Sequence, residues 1–472
     1  MGKRTTEPKD LKLIMKQTVV INIVGLSSSL LKDESLFITQ WIKDKHISKI
    51  KPMLPAVTCA VQSTYLTGKL PDEHGIVANG WYFREECEVK LWRQSNHLVQ
   101  APKIWDLAKD INPGFTCSNM FWWYNMYSGS DFNVTPRPQY RADGQKKPDC
   151  YTKPSNLRDR LQDNLGIFPL FNFWGPNTSI RSTKWIADAS KLVHDWHEPT
   201  LQLIYLPHLD YVLQKHDDQK LISESIKELD IVFKDLITFY EKKGINPIVL
   251  SEYGIHPVKS PIHINRILRE KGFIKVREEN GLELLDPGIS DAFAMADHQI
   301  AHIYINDIKK IEEVKKILEE YSEIELILDK NEQVKYNLNH KRSGELVAVA
   351  KKDSWFTYYF WKDDKKAPDY ARMVAIHNKP GYDPVELFTD PEKKFMKGRI
   401  GWKLLRKKLG FRTLLNIIPL NANLVKGSHG AVNIGEEYYP LLIRNNMSNP
   451  KKDNEFMEPT AICNLILDCI FG

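Results

Sequence analysis

The acidic and imidazole side chains of this sequence cluster at a few places where chemistry can be assembled. Asp210 follows the apolar run at residues 201–206 (LQLIYL), and Glu252 follows the run at 247–250 (PIVL). Asp297 is the only aspartate followed directly by a histidine, His298, and the pair opens a third run, 300–305 (IAHIYI). Carboxylates and imidazoles are the groups that hold divalent ions and move protons near neutral pH. His208 precedes Asp210 by two residues; on an extended segment such residues share a face, so the two could reach one ion. Taken singly, His298, His302 and His263 read best as hydrogen-bonded, partly buried histidines, whereas Asp297 with His298 counts as a candidate pair. At the start of a strand their side chains diverge unless the backbone turns there. Asp383, within 379–384 (KPGYDP), reads as a turn residue.

The elements around these residues predict an α/β fold. Residues 19–24 (VVINIV), 201–206, 247–250 and 300–305 are short, nearly continuous apolar runs, as expected of parallel strands covered on both faces. Helical patterns at 221–240 and 308–321 alternate with them, which predicts a doubly wound, mostly parallel sheet. In such sheets ligands bind beyond the carboxyl ends of the strands, where Asp210 and Glu252 stand. At 472 residues, one catalytic body spanning 1–472 with insertions is expected. An aromatic- and proline-rich stretch at 81–196, with Phe121-Trp122-Trp123-Tyr124, reads as an insertion within that body that either lines a cleft or fills its own core. Residues 341–412 read as a cap or a sheet-edge extension.

The segment 55–63 (PAVTCAVQS) leads into 64–76 (TYLTGKLPDEHGI), and 78–82 (ANGWY) follows. This line resembles the signature of the nucleotide pyrophosphatase/phosphodiesterase (type I phosphodiesterase) family of the alkaline phosphatase superfamily. There, a nucleophilic threonine opens a helix, Thr-Gly follows nine residues later, and Pro-x-x-His-Gly-Ile comes next. The resemblance implies that Thr58 is the nucleophile at a helix N-terminus, where free N–H groups and the helix dipole favour the anion it attacks. It also implies that Asn79 donates a hydrogen bond to a phosphoryl oxygen. Weaker likeness extends over 92–105 and 458–472, so that the family's alkaline-phosphatase-like fold is expected over most of the chain.

Family members carry two metal ions, typically zinc, held by Asp and His residues. The resemblance carries Asp210, His429 (in 427–430, GSHG) and, through its position, Glu252 over as ligands. Three further ligand positions are replaced: Val24 stands where the family has Asp, Gln214 where it has His, and Tyr253 where it has the His of Asp-His-Gly. A divalent metal, zinc or else manganese or magnesium, with one or two ions, is the expected cofactor; His208, Asp297 and His298 are candidate compensating ligands.

Lys and Arg outnumber Asp and Glu by only six, 66 against 60, so no nucleic-acid partner is implied and the expected partner is a phosphorylated small molecule. Six scattered cysteines without a CxxC pair read as reduced structural thiols. The stretch 11–31 is broken by polar residues and shows neither a membrane span nor an export signal, which makes the cytoplasm the default location. Residues 393–412 carry nine basic residues with Trp402, Leu404, Leu405 and Leu409 interleaved. An acidic membrane surface is one reading of this segment; a solvated helix with one buried face is preferred. Two functions from different classes follow: a metal-dependent hydrolase of phosphodiester or pyrophosphate bonds acting through Thr58, or a degenerate relative that binds a phosphorylated molecule or partner without turnover.

Overall fold

A computed structural model describes residues 15–142, 145–411, 413–445 and 455–472. Strand β1 (Thr18–Ile23) is buried along its whole length, as six successive mostly apolar residues require of a strand covered on both faces. It is followed in the same sheet by β2 (His46–Ile50), β3 (Cys117–Met120), β4 (Phe132–Pro136), β5 (Cys150–Lys153), β6 (Leu201–Leu206) and β7 (Asn246–Leu250). Four strands then form a second sheet: β8 (Ala292–Asp297), β9 (Ile300–Ile305), β10 (Ile324–Leu328) and β11 (Leu346–Ala350). The chain returns to the first sheet with β12 (Leu441–Arg444) and β13 (Phe456–Met457).

The first sheet has nine strands in the order β13-β2-β12-β7-β1-β6-β3-β4-β5. Its centre, from β7 through β1, β6 and β3 to β4, is parallel, and β12 and β5 pair antiparallel. The helices that matter for the site are α1 (Thr58–Thr67), α2 (Ile180–His197), α3 (His208–Lys215), α4 (Gln219–Lys242), α5 (Met396–Lys408) and α6 (Ala461–Phe471). Because β1 lies between β6 and β7, the chain ends leaving those strands converge on one crevice.

The stretch 81–196 contributes β3, β4 and β5 to the central sheet and α2 against it, so it extends the sheet where an insertion with its own core was one expectation. Residues 300–305 form a strand as expected but pair antiparallel in the second sheet. Residues 341–412 supply β11 to that sheet, and Trp355, Phe356, Tyr358, Tyr359, Phe360 and Trp361 are all buried. No disulfide joins the six cysteines, all of which lie among the described residues. Of the stretch 11–31, residues 11–14 lie outside the described residues, and Thr18–Ile23 form β1.

Candidate active site

Helix α1 begins at Thr58, with the extended Val57 before it and left-handed Gly68 closing it. Every residue of the helix is buried, which fixes Thr58 against the sheet. Its Oγ1 lies 2.8 Å from the Tyr253 hydroxyl, and that hydroxyl donates to Asp210 Oδ1 at 3.5 Å. Tyr253 follows β7, and Asp210, in the first turn of α3, follows β6. The loop after β7 reaches Thr58 only because Gly254 has no side chain: a Cβ there would fall 2.0 Å from the Tyr438 carbonyl oxygen.

Asn79 is held on three sides. Its Oδ1 accepts from the Cys59 N–H at 3.0 Å, its Nδ2 donates to Asp297 Oδ1 at 3.0 Å, and its backbone N–H donates to Asp297 Oδ2 at 2.8 Å. An amide nitrogen has two hydrogens, so one is left for a ligand. Glu252 Oε1 accepts from Asn22 Nδ2 at 2.5 Å and from Gln62 Nε2, while its other oxygen is buried without a hydrogen-bond partner. Gln62 was a missed participant, although its position four residues after Thr58 places it on the same helix face. Asn22 was missed too, yet it is the one amide in the otherwise apolar β1 and shares a face with Val24.

The opposite wall is built from rings. Tyr253 stacks on His429 with centroids 3.5 Å apart, His429 meets His298 at 3.7 Å, and His298 stacks on Tyr382 at 3.7 Å. The Tyr382 hydroxyl donates to Gln214 Oε1 at 2.8 Å, and Gln214 Nε2 donates to Asp210 Oδ2 at 2.9 Å. Nothing in the local sequence marked Tyr382 for this place. His429 Nδ1 donates to the Ala56 carbonyl at 2.7 Å, which leaves Nε2 as an acceptor without a partner.

Burial disfavours the charged form of each of these groups. It pushes the carboxyls of Asp210 and Asp297 up to about 7 and that of Glu252 to about 8, against the opposing hydrogen bonds each accepts. It also drives His429 down to about 3 and His298 well below its ordinary range, the latter aided by the neighbouring His429.

The structure therefore brings Thr58, Asn79, Asp210, Glu252, Asp297, His298 and His429 together. It does not bring His208. The segment after β6 is the helix α3 and not an extended strand, so His208 and Asp210 point apart; the His208 ring faces α4, with Nε2 3.2 Å from Glu228. Asp297 ends β8 and does not open β9; His298 is the turn residue, at φ 60°, and this turn is what sends its ring to His429 while Asp297 faces Asn79. His302 and His263 are hydrogen-bonded to Val77 and Thr357. Asp383 starts a short turn but is also buried in an ion pair with Lys379 at 2.6 Å.

The donor set does not fit the pair of ions on which the superfamily generally depends. Val24 is a buried hydrocarbon, the Tyr253 phenol is held well above its ordinary range by burial, and Gln214 spends its amide on Asp210 and Tyr382. Asp210 and Glu252, read as ligands from the resemblance, are hydrogen-bonded to amides and to Tyr253. Among the described residues, no three His, Cys, Asp or Glu side chains group around a point that could hold an ion.

A parallel sheet carrying a hydroxyl at a helix start, with an amide and carboxyls around it at the strand ends, defines an α/β fold of the alkaline phosphatase superfamily. The sequence matches the family model for type I phosphodiesterase / nucleotide pyrophosphatase over residues 18–383, and the chain belongs to that family. An uncharacterized pyrophosphatase/phosphodiesterase of Schizosaccharomyces pombe is 26% identical over 221 residues, 46% of this chain and 39% of that protein. An ectonucleotide pyrophosphatase/phosphodiesterase of Caenorhabditis elegans is 24% identical over 232 residues, 48% of this chain and 26% of its own length. The match thus spans well under half of these curated relatives. Among solved structures, murine ectonucleotide pyrophosphatase / phosphodiesterase 5 aligns at TM-score 0.55 and 14% identity, covering 96% of this chain and 94% of that one. Phosphonoacetate hydrolase from Sinorhizobium meliloti aligns at TM-score 0.59 and 11% identity, covering 97% and 96%.

Proposed function

We propose that the chain hydrolyses a phosphodiester or pyrophosphate bond of a phosphorylated small molecule, with Thr58 as nucleophile and without the metal pair. The observation that carries this reading is the chain of contacts from Thr58 Oγ1 to the Tyr253 hydroxyl and on to Asp210 Oδ1. As Thr58 Oγ1 bonds to phosphorus, its proton passes to the Tyr253 oxygen while Tyr253 gives its own to the ionised form of Asp210; the bond from phosphorus to the leaving oxygen breaks, and that oxygen takes the proton back from Asp210. Water then attacks the same phosphorus and frees Thr58. The remaining Asn79 amide hydrogen and the start of α1 face the phosphoryl oxygens, where added negative charge is stabilised. Nucleotides are the first substrates to try, because an inactive form of the murine relative, altered at a threonine, is described in complex with AMP.

Acid-quenched protein, incubated with a chromogenic phosphodiester after chelation, should carry a phosphoryl adduct on Thr58 by mass spectrometry. An adduct elsewhere would remove Thr58 from its role. Binding without turnover is the second reading, favoured by the enclosure of the site: Thr58, Asp210, Glu252, His298 and His429 are all buried, and stacked rings fill one wall. AMP binding to chelated protein with no adduct and no product would establish that reading instead.

A further inference from the structure

Beside the residues of the site, one segment gathers charge and exposed apolar surface together. Between residues 393 and 412 there are nine basic and no acidic residues, while the rest of the chain holds 57 basic against 60 acidic, so the positive charge of the protein is local to this segment. Of the seventeen large hydrophobic side chains exposed among the described residues, six lie at 395–414: Phe395, Trp402, Leu405, Leu409, Phe411 and Leu414. Phe395 is 88% exposed, Trp402 62% and Leu409 64%. Such crowding departs from the scatter of single apolar residues normal on a soluble surface.

The preferred sequence reading, a solvated helix with one buried face, accounts for only half of α5. Met396 and Ile400 do pack against the core. At about 100° per residue, Trp402, Leu405 and the adjoining Leu409 fall within roughly 60° of one another on the side facing away from that contact. Arg399 and Arg406 flank this apolar row on one side and Lys408 on the other, and all three are exposed. Among the described residues, no ion pair joins these three cations to a carboxylate; the nearby Asp390 is paired with Lys393 at 2.8 Å.

The display is held in place. Leu409 donates to the Leu405 carbonyl at 2.9 Å, left-handed Gly410 turns the chain, and Phe411 donates to the Arg406 carbonyl at 3.0 Å. Lys403 Nζ then fastens the returning strand of chain by donating to the Leu414 carbonyl at 2.8 Å and to Asn416 Oδ1. The Arg406 guanidinium lies 5.6 Å from the centre of the Phe411 ring, so cation and apolar ring face solvent side by side.

We propose that this helical hairpin docks the protein on the surface of a bilayer rich in acidic lipid, with Trp402, Leu405 and Leu409 entering the headgroup boundary and the flanking cations meeting lipid phosphates and carboxylates. An apolar row bordered by unpaired cations is what an interfacial helix presents, and tryptophan favours that boundary. The helix lies on the membrane and does not cross it, since no helix among the described residues is long and apolar enough to span.

The test is co-sedimentation of the full chain with phosphatidylcholine vesicles, alone or with about 30% phosphatidylserine, at low and high salt. Affinity for the acidic vesicles should exceed that for the neutral ones by about tenfold or more and fall with salt, since each basic residue near such a surface adds measurably to binding. Trp402→Ser/Leu405→Ser/Leu409→Ser should lose at least about tenfold with both vesicle types. Arg399→Gln/Arg406→Gln/Lys408→Gln should lose the preference for phosphatidylserine. If the serine variant melts early, brominated lipid gives a second readout: it should quench the wild type more than Trp402→Phe. No binding to acidic vesicles, unchanged binding by the serine variant, tighter binding to polyglutamate than to vesicles, or a lipid-free dimer abolished by the serine variant would each overturn the proposal.

Discussion

The two walls of the crevice keep different parts of their family's inheritance. On the Thr58 side, the helix start, Asn79 and the segment through His74 stand as the motif implies, each tied by backbone and side-chain hydrogen bonds. On the facing side, Val24, Gln214 and Tyr253 stand where the resemblance implies metal ligands, and a row of stacked rings ending in Tyr382 occupies that wall. What joins the two is hydrogen bonding: the buried carboxyls of Asp210 and Glu252 take hydrogen bonds from amides and from the Tyr253 phenol. A nucleophile can survive the loss of its metals if its neighbours assume the proton transfer, and Tyr253 stands where that would happen.

The largest expected effect breaks the Thr58 wall. Thr58→Ala should lower hydrolysis of a chromogenic phosphodiester by about a hundredfold or more, with the melting temperature little changed. Equal turnover in the variant would mean that the hydroxyl takes no part. Tyr253→Phe probes the rebuilt wall. It keeps the ring on His429 but removes the link to Asp210, and should cost about a hundredfold in kcat with KM nearly unchanged, the low end of what positioned proton transfer contributes. Loss of binding with kcat intact would instead make Tyr253 a packing residue.

The smallest effect asks whether neutrality extends behind Thr58. Lys103 is fully buried against the Trp105 and Tyr124 rings, its Nζ donating to the Tyr124 carbonyl at 3.4 Å, and burial lowers it to about 7. A base whose folded value lies below its unfolded value of 10.5 destabilises the fold most below about 7, and the cost disappears as pH rises toward 10.5. Lys103→Met should therefore raise the melting temperature by about 2 °C at pH 7 and by less at pH 9.5, as expected for a buried unpaired charge replaced by an apolar group. A gain independent of pH would show that packing alone is responsible.

Much of this arrangement was legible in the sequence, for unequal reasons. The apolar runs placed β1, β6 and β7, and the rule for strand ends placed Asp210 and Glu252, because a buried parallel strand leaves little alternative pattern. The resemblance located Thr58 and Asn79, and the absence of ligands at Val24, Gln214 and Tyr253 was visible at once. What took their place was not. The sequence pattern has Asp297 and His298 opening a strand, whereas Asp297 ends one and His298 is left-handed, and whether a histidine turns at φ 60° is decided by packing on His429 and Tyr382 rather than by local preference. His208 was misjudged because a short apolar segment after a strand fits extended chain as well as helix. Tyr382, more than 80 residues from any of the ring partners except His429, carried no periodic or spacing signal at all.

Whether the wall around Tyr253 works without metal is tested most directly by chelation. The protein should be dialysed exhaustively against a chelator, its metal content measured by elemental analysis, and phosphodiester hydrolysis compared before and after, with zinc and manganese then added back. Activity within about twofold of the starting value, on protein holding far less than one ion per chain, is the predicted result; twofold is small beside the several kcal/mol a catalytic ion ordinarily supplies. Activity that vanishes on chelation and returns with zinc would contradict it.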